Sequence, residues 1–110
     1  MKLSEKQRIF TRNIAKLIVY AYQNGFELTF GDAFRTVEQQ EIYIEQGKSK
    51  TMNSMHLQRL AVDFNFFINN KLTYKKEDVE MLGKYWESLH EDNSWGGYWR
   101  YKDTPHFQMA

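Results

Sequence analysis

The 110-residue sequence has no cysteine. Disulfides and thiolate metal sites are therefore excluded, and any metal must be held by His, Asp or Glu. Charge of one sign is also missing: 15 Lys and Arg face 14 Asp and Glu, for a net charge of +1. Without a basic surplus the chain lacks the electrostatic footprint of a nucleic-acid binder, and no nucleic-acid partner is expected. Long apolar runs are absent too. No segment approaches the ~20 residues of a membrane span, so no membrane insertion is expected. The first 22 residues are interrupted by Glu5, Lys6, Arg8, Arg12 and Lys16, which leaves no apolar core for a signal peptide. A soluble protein made without an export signal is the expectation.

Punctuation is sparse as well. With one proline, no repeat and no linker-like stretch, the length fits a single domain with its own hydrophobic core. Ser4 and Gln7 have capping-box spacing, and Ile9, Phe10, Ile14, Leu17, Ile18 and Ala21 follow at helical intervals up to Asn24-Gly25. "FELTF" at 26–30 alternates like a strand, and Gly31-Asp32 marks a turn or bulge. Thr36 with Gln39 repeats the capping spacing and opens a second helix to about Gln46. Residues 47–55 read as a polar loop. "LAVDFNFFI" at 60–68 is the strongest strand, turning at Asn69-Asn70 into "KLTY". A third helix runs from 76 to about 90, with Val79, Leu82, Trp86 and Leu89 on one face. One short strand is expected around His106. The fold class is α+β: a short antiparallel sheet packed with about three helices.

Within "SMHLQRLAVDFNFF" (54–67), Asp63 interrupts an apolar strand. It is either an outward polar residue of a half-exposed strand or an inward one with a partner. Of the three histidines, His90 falls at a helix end, where a cationic side chain suits the dipole, and is read as structural or merely exposed. His56, Asp63 and His106 together meet the ligand count of a catalytic zinc site, three protein ligands with a fourth position open. The same trio occurs in proteins without metal, so spacing alone leaves both readings standing. Asp103 precedes His106 by three residues, across a Thr104-Pro105 step that restricts the backbone. It could accept a proton from an attacking water, or simply open a surface turn. Arg35, at the junction before the second helix, is a surface arginine or a fixed guanidinium for a carboxylate or oxyanion. Trp95, Tyr98 and Trp99 are core residues or the wall of a groove.

These segments together resemble the zinc D-Ala-D-Ala carboxypeptidase and L-alanyl-D-glutamate endopeptidase family, above all its small bacteriophage endolysins. The family's motif Ser-x-His-x-x-Gly-x-Ala-x-Asp is met by Ser54, His56, Ala61 and Asp63, with Arg59 at the glycine. "DTPHF" (103–107) matches its acidic-x-Pro-His segment, and Arg35, Thr36 and Gln40 match an upstream Arg-Ser/Thr with a glutamine five after the arginine. "WGGYW" (95–99) is similar to the stretch before the last motif in phage members.

The resemblance implies the fold type of Hedgehog domains and D,D-peptidases, in one catalytic domain over residues 1–110; from the length, no separate wall-binding domain is expected. It implies one Zn2+ per chain, held by His56, Asp63 and His106, with Asp103 as general base. Arg35 would engage the substrate or its oxyanion. Ser54, Gln40 and Trp95 would complete the substrate site. The implied partner is a peptidoglycan stem peptide, cut at L-alanyl-D-glutamate by a monomer that reaches the wall through a membrane lesion. A D,D-carboxypeptidase or dipeptidase is the alternative within the class. A zinc or peptidoglycan-binding module without catalysis is the alternative outside it.

Overall fold

The computed structural model describes residues 1–34, 36–47 and 54–110. Among them are the helices α1 (Leu3–Gln23), α2 (Val37–Glu45) and α3 (Lys76–Ser88). The strands are β1 (Phe26–Phe30), β2 (Ala61–Ile68), β3 (Lys71–Thr73), β4 (Asn93–Trp95) and β5 (His106–Met109). Short 3-10 turns occupy Met55–Gln58 and Gly96–Tyr98. The class is α+β, as the sequence led us to expect, with one strand more.

β2 is the axis of the sheet, whose strand order is β1-β2-β5-β4 with β3 also paired to β2. Its second half pairs with β1 on one side and β3 on the other, and its first half pairs with β5. Every pairing is antiparallel. Asn69 and Asn70 make the β2–β3 turn with φ of 51° and 64°. Two consecutive positive φ values suit the right-handed twist of a tight hairpin, and Asn tolerates them best after Gly.

Alternation along the strands separates the two faces of the sheet. Val62, Phe64 and Phe66 of β2, with Phe107 and Met109 of β5, point into the core. There they meet Phe10, Leu17 and Ala21 of α1 and Val79, Leu82 and Trp86 of α3. Trp86 is wholly buried at the centre, its Nε1–H shared between the carbonyls of Ser94 and Gln108. The residues between these, Asp63 on β2 and His106 and Gln108 on β5, fall on the opposite face. The free edge of β1 is covered from α1: the Tyr22 hydroxyl accepts from Leu28 N (3.2 Å) and donates to Leu28 O (3.3 Å). That occupies groups which would otherwise invite another strand.

Two local expectations change. Ser4 does not cap α1, because the helix already begins at Leu3 with Lys2 in the cap position and no side-chain cap. Thr36 does cap α2, accepting from Gln39 N at 3.0 Å. The segment 93–95, where no strand is expected from the sequence, is strand β4. It is held by pairing to β5, with the Trp95 backbone N–H on Glu87 Oε2 at 3.0 Å.

Gly83 of α3 supplies a test of this packing. A Cβ there would lie 2.2 Å from the Trp95 ring, and that ring is pinned by its Nε1–H to Thr104 O at 2.8 Å. In an ordinary helix Gly→Ala stabilises by ~1 kcal/mol. Here overpacking should dominate, at ~1–3 kcal/mol. The net loss of up to ~2 kcal/mol should lower the melting temperature of Gly83→Ala by up to about 15 °C, and a rise in melting temperature would contradict the packing described.

Candidate metal centre

Asp63 and His106 stand directly opposite each other on β2 and β5. The Asp63 backbone is turned the other way: its N–H donates to Asp32 O and its carbonyl accepts from Gly31 N, both at 2.7 Å. The neighbouring Phe64 N bonds Pro105 O at 3.0 Å. Asp63 and His106 are thus a non-hydrogen-bonded pair, the register in which facing side chains lie closest. Gly31 permits this approach, since a Cβ at that position would come within 3.2 Å of Asp63 Cβ and O.

His56 arrives from the 3-10 turn just before β2. Ser54 Oγ accepts from His56 N at 3.2 Å and fixes the start of the turn. Arg59 ends it in the left-handed region, φ 57° and ψ 37°. This is the position where the resembled motif has glycine, and the geometry explains the preference: a residue with a Cβ accepts it at a cost of ~1 kcal/mol. Arg59 then lays its guanidinium 4.3 Å from the centroid of the Phe34 ring, a cation–π contact that glycine could not make.

The three side chains converge. One ligand atom from each of His56, Asp63 and His106 lies within 4.8 Å of the others. Asp63 Oδ1 is 3.1 Å from His106 Nδ1 and 3.3 Å from His56 Nε2, and the two imidazoles meet edge to face at 5.0 Å. Both ring nitrogens of His56 are buried without a hydrogen-bond partner, its 3.3 Å neighbour lying outside hydrogen-bond geometry. A buried nitrogen left so is costly. Two imidazoles and a carboxylate form the donor set of an open zinc site, and a cation there would satisfy the orphaned His56. The residues fit such an ion.

The electrostatics agree. Burial by itself would raise the Asp63 pKa, but the facing His106 and His56 outweigh it and hold the carboxyl well below the usual range. Burial likewise disfavours charge on His106, yet Asp63, with smaller help from Gln108 and Asp103, moves its pKa upward.

Asp103 Oδ2 lies 4.0 Å from His106 Nδ1, with the side chain about half exposed. Its loop is closed at the base: Gly96 O accepts from both Asp103 N (2.9 Å) and Trp99 N (3.2 Å), and Asp103 O accepts from His106 N (3.1 Å). A Cβ on Gly96 would fall 2.2 Å from Asp103 O, so only glycine allows that closure. Thr104, which is buried, ties the same loop to Tyr74, just past the end of β3, through Oγ1 on Tyr74 O at 2.7 Å.

Other expected site residues are placed differently. Trp95 is fully buried, packed against Gly83 and Gly97, and is a core residue rather than a groove wall. Trp99, named with it as a groove wall, is exposed, with its ring 5.0 Å from that of His106. Gln40 is also fully buried, on α2, a position inside the fold rather than on an open groove. Arg35 lies outside the described residues. His90 is not part of that group, and its Nδ1 accepts from Asp92 N at 3.0 Å. Gln108 went unnoticed in the sequence, although its place two residues after His106 in a strand puts both on one face.

Three comparisons bear on the site. The sequence profile of a family described as D-alanyl-D-alanine carboxypeptidase matches residues 47–109, a span that takes in His56, Asp63, His106 and Asp103. The chain is 31% identical over 112 residues to the L-alanyl-D-glutamate peptidase of Listeria phage A118, across 98% of this chain and 38% of that protein. It therefore spans about two-fifths of the length of that curated relative. The fold is similar to the crystal structure of the Serratia marcescens L-Ala D-Glu endopeptidase ChiX. The TM-score is 0.77 at 22% identity, covering 97% of this chain and 85% of the other.

The Asp63–His106 pair predicts a pH dependence for metal-free protein. A His106 pKa raised on folding adds stability that is complete below the ordinary histidine value of ~6.5 and lost as pH rises through the folded value. The lowered Asp63 pKa adds stability present above ~3.9 and lost as pH falls through its folded value. Chelator-treated protein should thus melt highest between about pH 4 and 6.5. His106→Gln should abolish the decline on the alkaline side. A parent protein whose melting temperature does not fall above that window would contradict the pairing.

Proposed function

The chain belongs to the D-alanyl-D-alanine carboxypeptidase family, and on that premise we propose that it is a zinc-dependent peptidase that cuts the L-alanyl-D-glutamate bond of peptidoglycan stem peptides. The observation that carries the reading is the convergence of His56, Asp63 and His106 around an unpartnered, buried imidazole, with the carboxylate of Asp103 alongside. The names of the Listeria phage and Serratia relatives favour this bond.

His56, Asp63 and His106 would hold one zinc per chain. Bound there, zinc supplies Lewis acidity, polarising the scissile carbonyl and lowering the pKa of water toward ~7. The chain's own residues do the rest. Asp103, on its closed loop, takes the proton of the attacking water at its carboxylate and returns it to the leaving amine. Ser54 fixes the turn that carries His56. Trp99 offers an exposed aromatic face beside His106, against which a stem peptide can lie. Arg35 is assigned to the substrate or its developing oxyanion by the family motif. The 110 residues act as one catalytic unit, a monomer working on the cell wall in phage-type lysis. Among the described residues no helix is long and apolar enough to cross a membrane.

A second reading, cleavage of D-Ala-D-Ala by carboxypeptidase action, is favoured by the description of the matching family. Mass analysis of muropeptides digested by the purified protein separates the two. New L-alanine carboxyl ends paired with D-glutamate amino ends support the endopeptidase, free D-alanine supports the carboxypeptidase, and unaltered muropeptides contradict both. Asp103→Asn should keep zinc while turnover drops by about 10²–10⁴-fold. Loss of zinc from that variant would make Asp103 a ligand instead of the base.

A further inference from the structure

The two ring nitrogens of His106 have different surroundings. Nδ1 faces Asp63 Oδ1 and the centre, whereas Nε2 points away, 2.8 Å from Gln108 Oε1. An imidazole binds a metal through the nitrogen that carries no proton, and the partner of the other nitrogen decides which one that is. An amide oxygen can only accept. Facing His106 Nε2, it holds a proton there, so the proton given up on metal binding is the one Nδ1 shares with Asp63 Oδ1. The reverse amide orientation would place the proton on Nδ1, where it would block the ligand position.

Gln108 is itself well held. Its carbonyl accepts from Trp86 Nε1 at 3.0 Å, and its strand is flanked by Ala61 of β2 and Ser94 of β4. The backbone that aims the amide is therefore anchored in the core, and the side chain spans only the short distance between alternate residues on one face of β5.

We propose that Gln108 is a positioning residue of the metal centre: by accepting the Nε2 proton of His106, it sets the tautomer and ring orientation that present Nδ1 to the metal. The proposal rests on the reading of His56, Asp63 and His106 as a zinc site. Its consequence lies in affinity, not in the reacting atoms. A ligand whose proton is held elsewhere binds without first reorganising, and partners of this kind are commonly worth 10–100-fold in metal affinity.

The test measures zinc binding by competition with a chromophoric chelator for the parent, Gln108→Met and Gln108→Glu, at one pH. Met keeps the length of the side chain but removes the acceptor, whereas Glu keeps an acceptor. Gln108→Met should bind zinc about 10–100-fold more weakly than the parent, and Gln108→Glu as tightly or more so. Long-range 1H–15N correlation spectra of the zinc-loaded parent should show the His106 proton on Nε2. Equal zinc affinity in the parent and Gln108→Met would overturn the role of Gln108 and leave the metal site standing. A parent that binds no zinc would overturn the site itself. Should Gln108→Met fail to fold, the spectrum of the parent decides alone, and a proton on Nδ1 refutes the proposal.

Discussion

The structure depends on one cross-strand contact, Asp63 against His106. The two strands meet there in the close, non-hydrogen-bonded register because the backbone of Asp63 is occupied on its other side by Gly31 and Asp32. The same register sends Val62, Phe64, Phe107 and Met109 beneath α1 and α3. A slip of one residue would turn the carboxylate into that core and the phenylalanines out of it. The hydrophobic effect that buries one face of the sheet therefore also fixes the geometry of the polar cluster on the other.

Around this pair the labour is divided by rigidity. Two of the three candidate ligands sit on strands whose alternate residues are wholly buried, and the third sits on a short turn capped by Ser54 and closed by the left-handed Arg59. A constellation anchored on such elements holds its geometry better than one carried on open loops. Asp103, which would move protons, lies instead on a loop and keeps contact with solvent. That loop is drawn shut by Gly96, Trp95 and Thr104, each using a bond that a bulkier or less polar residue could not make. Gly83, Trp95 and Gly96 thus connect the hydrophobic core of α3 to the position of a single carboxylate.

Much of this was legible in the sequence, for identifiable reasons. Helical periodicity gave α1 and α3, and the alternating apolar run gave β2. The doublet Asn69-Asn70 gave its hairpin, because two adjacent residues tolerant of positive φ leave few other uses. Asp63 could be suspected because a carboxylate in an apolar strand demands a partner. What was not legible depended on tertiary neighbours. The segment Asn93–Trp95 has too little length to declare itself a strand, and it becomes one only by pairing with β5. Trp95 and Trp99 are chemically alike and four residues apart, and only the packing against Gly83 sends the first inside while the second stays beside His106. The Ser4 capping signal was overridden because the helix found nothing to stop it before Leu3. Arg59 stood out as a departure from a glycine position, and its meaning appeared only with its backbone angles and its seat on Phe34.

The central claim is that these three side chains form one metal centre, with His106 bound through Nδ1. A crystal structure of the zinc-loaded protein, with anomalous diffraction recorded on both sides of the zinc edge, tests it most directly. The expected result is a single anomalous peak about 2.0–2.2 Å from nitrogen atoms of His56 and His106 and an oxygen of Asp63, with a remaining position open toward Asp103. A peak elsewhere, or zinc held by fewer than these three residues, would contradict the account.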